Sequence, residues 1–200
     1  MKKRLYSNIA NILTLIRFLC TIYILYIAKE LHNTNFNDKV WLIYVILCVI
    51  IWGSDFFDGK VARKLDIVSP FGACFDVIVD FIFVFFTHIQ LVEYHIMPVW
   101  GMFIIIEKIA DYFITSKILS RIGNHSFEFI PDTLGRIVAA LFYFTPMLMW
   151  GITKYHGKET GMIGNLLIVI AILAGISSLN RISFLIIQSV HSAQGVKEGK

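Results

Sequence analysis

The stretch Asp55-Phe-Phe-Asp58-Gly59-Lys-Val-Ala62-Arg63, continued by Gly72-Ala-Cys-Phe-Asp76-Val-Ile-Val-Asp80, sets four carboxylates in or beside some of the most apolar sequence of the chain. Asp55 and Asp58 are three apart, and Asp76 and Asp80 are four apart. Either spacing puts a pair on one face of a helix. Between the pairs, Ser69-Pro70 reads as an N-cap followed by a first-turn proline, so one helix ends near Leu65 and a second starts at Pro70. The two helices form a hairpin. Asp55 and Asp80 then lie about ten residues from the turn on either side, roughly 15 Å along each helix. Asp58 and Asp76 make a second level about one turn lower. The hairpin therefore brings all four acids to matched depths.

The rest of the chain says what surrounds that hairpin. Of its 200 residues 57% are hydrophobic and 16% charged, and the mean hydropathy is +0.71. This is too apolar for an ordinary soluble domain. Six apolar spans can be drawn, at roughly 11–29, 39–64, 70–92, 97–118, 133–153 and 162–187. Each is long enough to cross a hydrocarbon core of about 30 Å. The expected fold is thus all-α: one polytopic membrane domain over 1–200, with a short amphipathic surface helix at 1–10 and a polar, frayed tail at 191–200. No small-residue cleavage site follows the first apolar run, so that run is expected to be a retained helix.

Lys and Arg placement sets an orientation. With the N-terminus inside, twelve of the 18 cationic residues fall at cytoplasmic ends, from Lys2, Lys3 and Arg4 to Lys197 and Lys200. Only Lys29, Lys39, Lys154 and Lys158 fall outside, while Lys108 and Arg181 lie within spans. Both termini and the acid hairpin are expected on the cytoplasmic side. Cys20, Cys48 and Cys74 are scattered in apolar segments without a CxxC pair and read as small buried hydrophobes. Trp41, Tyr94, Trp100 and Trp150, near span ends, read as interfacial anchors.

Four ionised carboxylates so close repel one another, so they must be protonated, paired or metal-bound. Lys60 and Arg63 can offset part of the charge, and two divalent cations all of it. Oxygen-only ligands favour a hard ion, Mg²⁺ or Mn²⁺. Paired metals about 4 Å apart suit displacement at phosphorus. Gly59, Ala62 and Gly72 are interleaved with the acids. They either allow close helix packing or clear room for a ligand, and among four acids the second reading is preferred.

The complete pattern Asp55, Asp58, Gly59, Ala62, Arg63, Gly72, Asp76 and Asp80 resembles the signature of the CDP-alcohol phosphotransferases, at every spacing. Upstream, Asn11-Ile-Leu-Thr14-Leu-Ile-Arg17 is similar to the segment that opens that family's first helix, although Ala10 stands where a proline often precedes the asparagine. The resemblance covers essentially the whole chain. It implies transfer of a phosphatidyl group from CDP-diacylglycerol to a small polar alcohol, with release of CMP. Asp55, Asp58, Asp76 and Asp80 would be the metal set, with Asp80 also the general base. Asn11, Thr14, Arg17, Gly59, Ala62, Arg63 and Gly72 would bind the CDP-lipid. It further implies a homodimer in the lipid bilayer of the cell membrane; no nucleic-acid partner is expected.

For the acceptor the resemblance points to basic residues late in the chain: Arg121, Arg136 and Arg181. Arg181, deep in the last span, needs a partner. That partner is either Asp111 or Glu107 in an ion pair, or an acceptor phosphate, which guanidinium suits. Lys108 is expected in an internal salt bridge. Phe81 stands where glycerophosphate-using members often carry lysine. A phosphorylated polyol is expected, glycerol 3-phosphate first and inositol phosphate as the alternative. Two rival readings explain less. An aspartate-rich prenyltransferase has different acid spacing and usually more helices. An acidic-site cation transporter leaves Gly59, Arg63 and Gly72 without a reason.

Overall fold

The computed structural model describes residues 2–65, 70–123, 133–158 and 161–198, with side chains described over 12–54, 75–119, 133–158 and 161–190. Six helices follow in chain order: α1 Lys2–Asn33, α2 Asp38–Leu65, α3 Pro70–Glu93, α4 Trp100–Gly123, α5 Thr133–His156 and α6 Met162–Glu198. No strand occurs among the described residues. In hydrocarbon every backbone donor and acceptor must be satisfied within its own segment, and helices do this. Buried hydroxyls follow the same rule by bonding back to the carbonyl four residues earlier. Thr21 donates to Arg17 O at 2.9 Å, Thr87 to Phe83 O at 2.6 Å and Thr153 to Met149 O at 2.8 Å.

The helix bounds depart from the hydropathy spans in an instructive way. The surface helix expected at 1–10 is not a separate element, because α1 runs unbroken from Lys2 to Asn33. At the other terminus α6 continues to Glu198 through the tail expected to fray. Ala193, Gln194, Lys197 and Glu198 are good helix formers, and only Gly195 opposes them. A helix does not stop where its apolar run stops.

Four helices are long and apolar enough to cross a membrane among the described residues: Ile12–Asn33, Phe75–Glu93, Thr133–His156 and Met162–Val190. The other two of the six expected spans, α2 and α4, do not meet this measure for different reasons. The described side chains of α2, 38–54, are too few to fill such a window. In α4 the obstacle is charge: Glu107, Lys108, Asp111 and Lys117 interrupt the span. Lys108 and Asp111 are buried against α6, while Phe103, Phe113, Ile114 and Ile118 present an apolar outer face. The chain is a polytopic, all-helical membrane protein, with exposed Ile, Leu, Val and Phe around its periphery.

Contacts fix the helix directions. α1 packs on α2 and α3, α6 on α4 and α5, and α3 on α5. Arg17 meets Asp80 while the Gln90 amide donates to Leu25 O at 2.8 Å, so α1 and α3 run parallel. Ser54 lies beside Arg17, whereas Asp38 lies beside Lys154, so α2 runs against them. The end that carries the short connections is stapled shut. Lys154 Nζ donates to Phe36 O at 2.7 Å and Asp38 Oδ1 at 2.6 Å, and Lys158 Nζ donates to Tyr94 O at 2.7 Å. Asn37 Oδ1 accepts from the Lys39 amide at 2.9 Å and caps α2. Beneath the staples lies an aromatic core in which Trp150 packs against Phe36, Tyr44 and Tyr94. The Asp76–Asp80 pair lies away from that stapled end.

Candidate active site

Asp76 and Asp80 lie one turn apart on α3, six and ten residues past Pro70, so roughly 9 and 15 Å along the helix. Their side chains remain 35% and 32% exposed. The fully buried guanidinium of Arg17, on α1, binds both. Arg17 Nη1 donates to Asp76 Oδ1 at 2.5 Å and to Asp80 Oδ1 at 3.0 Å. Arg17 Nε is 3.4 Å from Ser54 Oγ, and that hydroxyl in turn donates to Ile51 O at 2.8 Å. From α5, the Tyr143 hydroxyl donates to Asp80 Oδ1 at 3.2 Å. Four helices thus meet at one acid pair. A buried guanidinium needs anionic partners and offers a planar fork to them. One arginine here stands between two carboxylates that would otherwise repel each other.

A second polar cluster joins α4 to α6. Lys108 Nζ donates to Ser177 Oγ at 2.8 Å, Ser178 Oγ at 3.2 Å and Asp111 Oδ2 at 3.3 Å. Ser178 donates to Glu107 Oε1 at 2.9 Å. Arg181, 4% exposed, is 3.9 Å from Asp111 Oδ2 and lies over the Tyr112 ring, 5.0 Å from its centroid. Arg181 Nε is buried without a hydrogen-bond partner among the described residues. Two cations therefore share one buried carboxylate within a membrane span.

The sequence matches the CDP-alcohol phosphatidyltransferase family model over residues 7–177. The chain belongs to the CDP-alcohol phosphatidyltransferase family. Among curated proteins it is similar to three that are each named CDP-diacylglycerol–glycerol-3-phosphate 3-phosphatidyltransferase. The Rickettsia felis protein is 34% identical over 77 residues, 38% of this chain and 40% of that one. The Bacillus subtilis protein is 36% identical over 63 residues, 32% of this chain and 33% of that one. The Rickettsia prowazekii protein is 31% identical over 90 residues, 45% of this chain and 47% of that one. The chain thus spans less than half the length of each of these relatives. No solved structure matches it.

In this family member the structure brings together some of the expected residues and leaves others aside. Asp76 and Asp80 share one site with Arg17. Arg17 was expected among the groups that bind the CDP-lipid. It is 0% exposed and occupied by the acids, so its contact is with carboxylates. Thr14, one turn before Arg17, is buried. Arg136 is exposed on α5. Arg181 pairs with Asp111, and Lys108 forms the internal bridge expected of it. The side chains of Asn11, Asp55, Asp58, Gly59, Ala62, Arg63, Gly72 and Arg121 lie outside the described residues.

The sequence reading missed Ser54 and Tyr143. Ser54 carried a signal, a hydroxyl directly before Asp55. Tyr143 carried a weaker one: it lies mid-span, not at a span end where tyrosine anchors to the interface.

No three ligating side chains converge on a metal position among the described residues. The donor chemistry of the pair nevertheless fits a hard divalent ion. Asp76 and Asp80 supply only carboxylate oxygens, one turn apart, and both keep a third of their surface open.

Proposed function

We propose that this protein transfers a phosphatidyl group from CDP-diacylglycerol to the hydroxyl of a phosphorylated polyol, releasing CMP. The observation that carries the reading is the partly exposed Asp76–Asp80 pair, at the positions where the family signature has its last two acids. In this reading the acceptor hydroxyl oxygen attacks the phosphorus that bears the diacylglycerol. The bond from that phosphorus to CMP breaks, and the hydroxyl proton passes to the Asp80 carboxylate. Asp80 is the general base because a base must reach the proton it removes, and Arg17 and Tyr143 hold it in place. Asp55, Asp58 and Asp76, with Asp80, would hold two divalent ions, Mg²⁺ or Mn²⁺. When bound, such ions neutralise the pyrophosphate and the charge on the departing CMP. Asn11, Thr14, Gly59, Ala62, Arg63 and Gly72 would line the cytidine-diphosphate site.

Glycerol 3-phosphate is the first acceptor, supported by the names of all three relatives. Phe81, exposed one residue after Asp80, speaks for a different polyol phosphate such as inositol phosphate. Arg181, with Arg121 and Arg136, is the phosphate-binding group in this reading. The Arg181–Asp111 contact is long, and an incoming phosphate competes with that carboxylate for the guanidinium. The enzyme is read as a homodimer of the cell membrane, with both termini and the site facing the cytoplasm.

The deciding experiment incubates purified protein with labelled CDP-diacylglycerol, Mn²⁺ and a panel of alcohols. CMP release that depends on glycerol 3-phosphate is expected. Release with inositol phosphate alone would move the acceptor, and no release with any alcohol would sink the reading.

A further inference from the structure

We infer that Tyr143 is a positioning residue for Asp80, holding the plane of its carboxylate for proton transfer. The inference rests on the reading of Asp80 as the base.

Tyr143 lies ten residues into α5 and Asp80 ten residues into α3, so in parallel helices the two reach the same depth, roughly 15 Å from their starts. The Tyr143 hydroxyl and Arg17 Nη1 both donate to Oδ1 of Asp80, at 3.2 and 3.0 Å. They arrive from two different helices, α5 and α1. Two donors converging on one oxygen restrict rotation about the Cβ–Cγ bond, which either alone would leave free. The tyrosine is itself held: its ring packs on buried Phe83, with centroids 4.7 Å apart. Phe83 follows Asp80 by three residues on the same helix, so ring and hydroxyl both index Tyr143 to α3.

The hydroxyl is not needed to fill this space, because phenylalanine offers Phe83 the same ring. It does not balance the acid's charge either, because a phenol is neutral at physiological pH. What it adds is direction. A base displaced by about 1 Å can cost 10²-fold in rate, and catalytic groups are held by neighbours whose own rotamers are locked.

The test is Tyr143→Phe in the full-length protein, which keeps the ring and removes only the donor. Turnover with CDP-diacylglycerol and its accepted alcohol should fall about ten- to a hundredfold, while KM for CDP-diacylglycerol stays within about twofold of wild type. An unchanged kcat, or kcat and KM worsening together, would overturn the inference. Melting midpoints of Tyr143→Phe, Asp80→Ala and the double variant supply a readout without turnover. The Tyr143→Phe shift should shrink when Asp80 is absent, and additive shifts would overturn the inference even if wild type releases no CMP. That last result, by itself, would sink the proposed activity, so the two failures are distinguishable.

Discussion

Arg17 is the residue on which the acid pair depends. Its guanidinium is fully buried and contacts Asp76, Asp80 and Ser54 from three directions. Arg17→Ala leaves two adjacent carboxylates without their shared cation. Removing one member of a buried pair costs about 3–5 kcal/mol. The low end, about 3 kcal/mol, is expected here because both acids are one-third exposed and water recovers part of the loss. The measurement is the melting midpoint in detergent, and a midpoint equal to wild type would show that Arg17 does not hold the pair. Asp80→Asn tests the neighbouring role. The amide keeps the side chain's shape but cannot take a proton at neutral pH. Turnover should be lost while Mn²⁺ binding, followed by electron paramagnetic resonance, is largely kept; substantial activity would remove Asp80 as base. Asp80 was legible in the sequence because acids in an apolar run are conspicuous. Arg17 was legible only as a polar residue in a matching segment. Its contact with the acids depends on α1 lying beside α3, which no spacing within one helix encodes.

Between elements, the seam of α4 and α6 shows how a span tolerates four charges. Asp111 is shared by Lys108 and Arg181, while Lys108 is further satisfied by Ser177 and Ser178. The pairing is therefore asymmetric, and so is the expected response to substitution. Lys108→Met leaves Asp111 with Arg181 and should cost about 1.5–3 kcal/mol, the value of a hydrogen bond to a charged group. Asp111→Leu strands two buried cations and should cost about 3–5 kcal/mol. Melting midpoints of the two variants decide the order; equal shifts would mean that Asp111 is not the hub. The spacing of Lys108 and Asp111 at i and i+3 made their bridge readable in advance. The choice of Asp111 over Glu107 as the acid nearest Arg181 was not readable. It follows from the register of two parallel helices 70 residues apart in sequence, and that register is set by packing around Ile105, Ile170 and Ala174.

At the scale of the molecule, the proposed orientation rests on which end of the bundle collects the cationic residues. One end is closed by short connections stapled through Lys154 and Lys158 over an aromatic core. The other receives the N-terminus of α1, the start of α3 and the long C-terminal extension of α6, with eleven of the 17 cationic residues that the structure describes. Cytoplasmic loops carry the excess of Lys and Arg, so the orientation proposed here puts the cationic end in the cytoplasm. The apolar runs made six helices legible, but the helix ends were not, because polar helix formers continue the backbone pattern after hydropathy has fallen. Two introduced cysteines test the orientation. His156, exposed at the end of α5, lies at the stapled end, and Arg136, exposed in the first turn of the same helix, lies at the cationic end. A membrane-impermeant maleimide added to intact cells should label His156→Cys and spare Arg136→Cys until the cells are opened. The native cysteines provide the background, measured in the unsubstituted chain; of these Cys48 is buried. Labelling of Arg136→Cys in intact cells, with His156→Cys protected, would reverse the orientation. It would also put the acid pair on the side of the membrane away from cytoplasmic CMP and CDP-lipid, and the proposed reaction would lose its donor.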